Sequence, residues 1–83
     1  MARIIDRNEK NMVGSKIKKL RLARNWSQQK VADQLEMLAI YVCRGSISRI
    51  EDKSRTVTDI ELYGLAQVLG VSIQELFEEE PST

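Results

Sequence analysis

The stretch Ser27–Glu51, SQQKVADQLEMLAIYVCRGSISRIE, decides the fold. It reads as two short helices joined by an irregular link. The first carries Val31, Ala32 and Leu35 at helical spacing, and the second carries Ile47 and Ile50. At about 100° per residue, turning Ile47 and Ile50 inward points Gly45 and Arg49 most directly outward. Ser48 and Asp52 then lie on one flank and Ser46 on the other, while Arg44 projects from the first turn.

Working outward, four helix starts repeat one pattern: an apolar residue, a small capping residue, and an apolar residue five places after the first. Trp26-Ser27…Val31, Val42-Cys43…Ile47, Val57-Thr58…Leu62 and Val71-Ser72…Leu76 all fit the hydrophobic staple. Two add a reciprocal capping box, Thr58 with Glu61 and Ser72 with Glu75, and each cap is typically worth about 1 kcal/mol. Cys43 stands where serine or threonine would normally cap, and a thiol is a poor substitute. The apolar spacing predicts a first helix over about 11–24, with Val13, Ile17 and Leu20 inward. The second runs from Gln28, the third covers about 44–52, the fourth about 59–69 and the fifth about 73–78. Gly70 is placed to end the fourth in a left-handed conformation. No segment alternates with period two between turn residues, so the expected class is an all-α bundle of five helices. If the second helix stopped at Leu35, a seven-residue connector would follow. The expectation is instead that it runs to about Leu38 or Ala39, leaving Ile40-Tyr41-Val42 as a short apolar link packed on the core.

Eighty-three residues allow one domain with a small core. Its expected layout is an N-terminal arm over 1–10, a helical domain over 11–78 and an acidic tail over 79–83. The chain has no histidine and one cysteine, which excludes a Cys/His metal site, a histidine base and an internal disulfide. The lone cysteine points to a reducing compartment, and no apolar run is long enough to span a bilayer. No glycine-rich phosphate loop and no clustered acid pair suggests an enzyme. Neither a cofactor nor a metal is expected. A net charge of +1 conceals a sharp asymmetry: all 13 Lys and Arg residues lie within residues 1–55, with six acids, and residues 56–83 hold six acids and no base. One half therefore carries +7 and faces a polyanion, while the other carries −6 and faces elsewhere.

Two short helices with a polar outer face on the second have the layout of a helix-turn-helix, whose second helix lies in the major groove of DNA. Over about residues 12–78 the chain resembles the lambda-repressor-like helix-turn-helix family of the xenobiotic-response-element (XRE) type. The resemblance rests on Ser27-Gln28-Gln29, on Ile47-Ser48-Arg49-Ile50-Glu51 and on the tail from Ala66 to Leu69-Gly70-Val71-Ser72. The longer link resembles a subgroup that shares the Val57-Thr58-Asp59-x-Glu61-Leu62 opening of the fourth helix.

That resemblance implies base contacts from Arg44, Gly45, Ser48 and Arg49, with Ser46 beside them. Arg49 is the strongest, because a guanidinium grips guanine O6 and N7 with two hydrogen bonds. Gly45 departs from the family pattern, having no side chain to read with. Phosphate contacts are expected at the N-terminus of the second helix, from Ser27, Gln28 and Gln29. They are also expected from the loop Lys53-Ser54-Arg55. Lys16 and Lys19 read as ordinary solvated lysines, and Arg3 and Arg7 as a trailing arm diluted by Asp6 and Glu9. Arg21 and Glu51 border the buried stripes of their helices, and the resemblance joins them in a partly buried ion pair. The implied function is a sequence-specific transcription regulator, a repressor, binding double-stranded DNA as a homodimer through its C-terminal half, with Phe77, Ile73 and Tyr63 as apolar contributors. It would act in a bacterial or phage-derived cytoplasm, at the nucleoid. The alternative is the antitoxin of a toxin–antitoxin pair, binding a toxin with its acidic half. A protein-interaction adaptor without DNA is weaker, because Arg44, Arg49 and Lys53 to Arg55 remain basic.

Overall fold

A computed structural model describes residues 8–78, which form five helices: α1 (Gly14–Ala23), α2 (Gln28–Glu36), α3 (Arg44–Glu51), α4 (Asp59–Leu69) and α5 (Ile73–Leu76). Among these residues there is no strand, and no helix is long and apolar enough to cross a membrane. The proposed arm residues 1–7 and tail residues 79–83, with Arg3, Asp6 and Arg7, lie outside the described residues. Asn8 to Lys10 do not: the Lys10 N–H donates to the Lys53 carbonyl at 2.8 Å, which seats this stretch against the loop after α3.

The core gathers the inward residues of every helix. Ile17, Val31, Leu35, Ile47, Ile50, Leu65 and Leu69 are wholly buried, and Leu76 of α5 closes the bundle beside them. Helices α2 and α3 pack together, α1 lies across α3 and α4, and α4 supports α2. Gly64 lets α4 approach the link before α3, since a Cβ there would collide with Ile40 Cδ1 and lie 2.9 Å from Leu35 Cδ2.

The helix starts follow their capping residues. Ser27 accepts from the Lys30 N–H, Thr58 and Glu61 close a reciprocal box, and Ser72 accepts from the Glu75 N–H without that closed box. Cys43 has the extended backbone of an N-cap but makes no side-chain cap bond. Helix α1 begins at Gly14 rather than near 11, because the Asn11 side-chain carbonyl accepts from the N–H groups of Val13 and Gly14.

The ends of α1 to α4 share one device. Asn25, Ala39, Lys53 and Gly70 have φ of 58°, 62°, 66° and 69°. At each, two N–H groups fold back onto helix carbonyls in the Schellman pattern. After α2, for example, Ala39 N–H donates to Glu36 and Ile40 N–H to Leu35. This turn corrects the expected end of α2, whose regular helix stops at Glu36 and leaves Leu38 and Ala39 outside the core. Only part of the link is packed as expected: Val42 is buried and Ile40 half-buried, but Tyr41 is 78% exposed. Likewise α5 ends at Leu76 instead of 78, with Phe77 as its C-cap.

Candidate nucleic-acid interface

Helix α3 has two faces with different commitments. Its inner face is tied down by apolar burial and by a polar cluster. Arg21 Nε donates to Glu51 Oε2 at 2.6 Å and Arg21 Nη2 to Glu51 Oε1 at 3.0 Å, with the pair 9% and 3% exposed at the side chains. Arg21 Nη1 also donates to the Trp26 carbonyl at 2.8 Å, and Gln28 Nε2 to Glu51 Oε1 at 3.1 Å. The carboxylate holds the Arg21 pKa above even its ordinary high value. One buried carboxylate thus joins α1 and α2 to α3, and Arg21 extends the cluster to the α1–α2 loop.

The outer face carries Arg44, Gly45, Arg49 and Asp52, all exposed, with Ser46 and Ser48 at its edges and half-buried. Arg49 does not pair with Asp52. Its Nη2 donates to Ser46 Oγ at 3.2 Å, and Cys43 Sγ donates to the same oxygen at 3.4 Å. The bonds from Ser46, with the nearby charge of Arg49 adding to them, lower the Cys43 thiol below its ordinary pKa. Asp52 instead accepts from the Ser54 hydroxyl at 2.6 Å and the Ser54 N–H at 3.0 Å, and its pKa is lowered chiefly by those bonds.

Beside α3, the start of α2 presents Ser27 and Gln29 to solvent. Ser27 caps Lys30, and Gln29 donates to Asp33 at 2.9 Å. The Gln28 side chain turns inward to Glu51, so of this residue the backbone N–H remains for an anion. Arg24 and Lys30 stack over the Trp26 ring at 5.2 and 5.8 Å.

The loop after α3 differs from the free basic grip its sequence suggests. Lys53 Nζ meets Glu9 at 3.4 Å, and Ser54 is bound to Asp52. Arg55 grips the Glu61 carboxylate with two bonds of 2.9 and 2.8 Å. The Arg55 bonds hold Glu61 below the usual carboxylate pKa, and those of Glu61 raise Arg55. Each of the three side chains is engaged within the protein, so this loop is first a brace between α3 and α4.

Sequence reasoning missed the main organiser of that brace. Asn11 Nδ2 donates to the Ile50 carbonyl at 3.0 Å and the Arg55 carbonyl at 2.8 Å, while its oxygen caps α1. The signal available was an asparagine just ahead of the first helix, a residue type whose side chain often accepts from nearby backbone N–H groups; its contacts 39 and 44 residues away left no local trace. Among the described residues no group of Cys, Asp and Glu is arranged to hold a metal ion.

No curated protein matches the chain. A family model described as helix-turn-helix, of the XRE type, matches residues 17–76, a span that begins inside α1 and ends with α5. Members of that family are DNA-binding regulators, generally without enzymatic activity. With five helices in this order, an inner face of α3 locked to α1 and α2, and an outer face left open, the chain belongs to the XRE-type helix-turn-helix family of DNA-binding transcription regulators.

Proposed function

We propose that the protein is a sequence-specific repressor that reads the major groove with α3, as a homodimer on a near-palindromic operator. The observation that carries this reading is the division of α3. Ile47 and Ile50 are wholly buried, while Arg44, Gly45 and Arg49 stand exposed on the opposite side. Base contacts fall to Arg44, Ser46, Ser48 and Arg49, with Gly45 in close approach. Phosphate contacts fall first to the N-terminus of α2, at Ser27, Gln28 and Gln29, where backbone N–H groups and the helix dipole favour an anion. Lys53, Ser54 and Arg55 add a weaker phosphate contribution, because each already has a protein partner. Two copies are required because one small module reads too few base pairs, and dimers of this architecture span half-sites about one helical turn apart. Exposed Ile60 and Tyr63 on α4, Ile73 on α5 and Phe77 at its C-cap supply apolar surface for such a contact.

Selection of bound sequences from a random DNA pool tests this directly. A palindromic consensus is expected, with light scattering of the complex giving two copies per site. Enrichment of no sequence, or a strict monomer on the selected DNA, overturns it. The antitoxin reading draws on the same exposed apolar residues, which sit beside Asp59, Glu61, Glu75 and Glu78 with no base after Arg55. Co-purification with a small basic toxin favours that alternative.

A further inference from the structure

The sequence holds four glycines, and the fold enforces three of them. A Cβ at Gly14 would collide with the Ile50 carbonyl, one at Gly64 with Ile40, and Gly70 occupies the left-handed region. Gly45 is different. A Cβ there meets nothing nearer than Arg49 Nη1 at 3.6 Å and Cys43 Sγ at 4.0 Å, both ordinary contacts, and its φ is not positive. Glycine is a poor helix former, so within the described residues nothing calls for it at this position.

What Gly45 does is leave clear the strip of surface along which Arg49 runs back toward the start of α3. The guanidinium ends beside it, Nη1 over the vacant Cβ position and Nη2 on Ser46 Oγ at 3.2 Å. We propose that Gly45 and Ser46 form a rest for the Arg49 guanidinium and are the residues that set its reading direction. This rests on α3 being the groove-reading helix. An unheld arginine samples many rotamers and must lose them on binding. One held along the first turn, the part of the helix that enters the groove, arrives already aimed. Because Arg has five donors in a fixed fork and Ser46 takes one, enough remain for a two-bond contact to guanine. Ser46 is therefore a positioning residue, and Gly45 sets specificity by the side chain it lacks.

The experiment has two arms on the same variants. Without DNA, side-chain NMR of the Arg49 Nε–H group reads how firmly the guanidinium is held. Ser46→Ala is expected to lower its order parameter and speed its rotation, Ser46→Thr to restore both, and Gly45→Gln to displace its resonance. Gly45→Ala, which fits without a clash, is expected to leave it near wild type. With DNA, each variant is titrated against the selected site and against that site changed at the base pair that loses preference in Arg49→Ala. Ser46→Ala and Gly45→Gln are expected to reduce discrimination on the order of threefold to tenfold, part of the roughly fivefold to 150-fold of a full two-bond contact. Affinity for scrambled DNA should change less than about twofold, since phosphate contacts carry no sequence. Arg49 signals identical in wild type and Ser46→Ala overturn the rest. Changed signals with unchanged discrimination overturn its part in specificity. A wild-type protein that prefers no sequence removes the groove reading as well, and the first arm separates that failure from a missing rest.

Discussion

The start of α3 and the start of α4 show opposite solutions to the same problem. At α4, Thr58 and Glu61 close a box, and Glu61 also takes both bonds from Arg55. At α3 the capping position holds a thiol that makes no side-chain cap bond and leans on Ser46 instead. The helix that braces the domain is fastened at its tip. The helix proposed to read DNA is fastened along its inner side, through Ile47, Ile50 and Glu51, and its tip is left open. An uncapped N-terminus keeps its N–H groups and positive dipole end available to an incoming phosphate, so weak capping and function are compatible there.

The largest break in this comparison comes from removing the inner fastening. Glu51→Ala strands Arg21 and Gln28 without their carboxylate, and loss of one partner from a buried pair costs about 3–5 kcal/mol. Urea unfolding should show most of the stability of so small a domain gone; a loss below about 1 kcal/mol would mean the pair is dispensable. Next is Asn11→Ala, which leaves the Ile50 and Arg55 carbonyls and the first N–H groups of α1 without this partner. About 1–3 kcal/mol of destabilisation is expected in the same assay, with DNA selectivity retained by the folded fraction.

Outer-face changes should act on binding alone. Arg49→Ala is expected to weaken operator binding by about 1–3 kcal/mol per half-site, with scrambled DNA little affected. Its melting temperature should barely move, as for a surface substitution within about 0.5 kcal/mol. Equal weakening on both DNAs would make Arg49 a phosphate contact. A smaller effect, of opposite sign, tests the tip itself. Cys43→Ser supplies the missing cap and should stabilise the protein by roughly 0.5–1 kcal/mol in thermal melting. No gain would show that the Ser46 contact already satisfies that end.

The smallest effect concerns the other tip. Arg55 holds the Glu61 pKa below its unfolded value, so the pair contributes stability that is fully present above the unfolded value. That contribution is lost as pH falls through the lower folded value. Melting measured from pH 6 down to pH 3 should therefore decline more steeply for wild type than for Glu61→Gln. Parallel curves would indicate that the two bonds carry no net stability, as surface pairs often do.

How much of this was legible in the sequence follows from what kind of group does each job. Helix starts are held by side chains, so Ser27, Thr58 and Ser72 announced themselves, and Cys43 announced an omission. The turns that end α1 to α4 are closed by backbone N–H groups, and of Asn25, Ala39, Lys53 and Gly70 only the glycine is a strong signal. Hence the end of α2 was misplaced while the end of α4 was not. The outward face of α3 followed from the Ile47/Ile50 spacing. The engagement of Lys53 with Glu9 and of Arg55 with Glu61 did not, because a pattern of charges along the chain does not say which acid will lie beside which base. Gln28 illustrates the same limit, since it was expected to face phosphate at the start of the second helix yet turns its amide to Glu51.

Ala39 and Lys53 stand on either side of α3 in a backbone region where a side chain is disfavoured by roughly 1–2 kcal/mol. Glycine at either place would relieve that strain, offset in part by the greater freedom of the unfolded chain. The domain therefore works below the stability its own backbone permits. For an engineer, these two sites are headroom outside the exposed face of α3. A scaffold reinforced at both could tolerate destabilising substitutions at Arg44, Ser48 or Arg49 while new operators are sought.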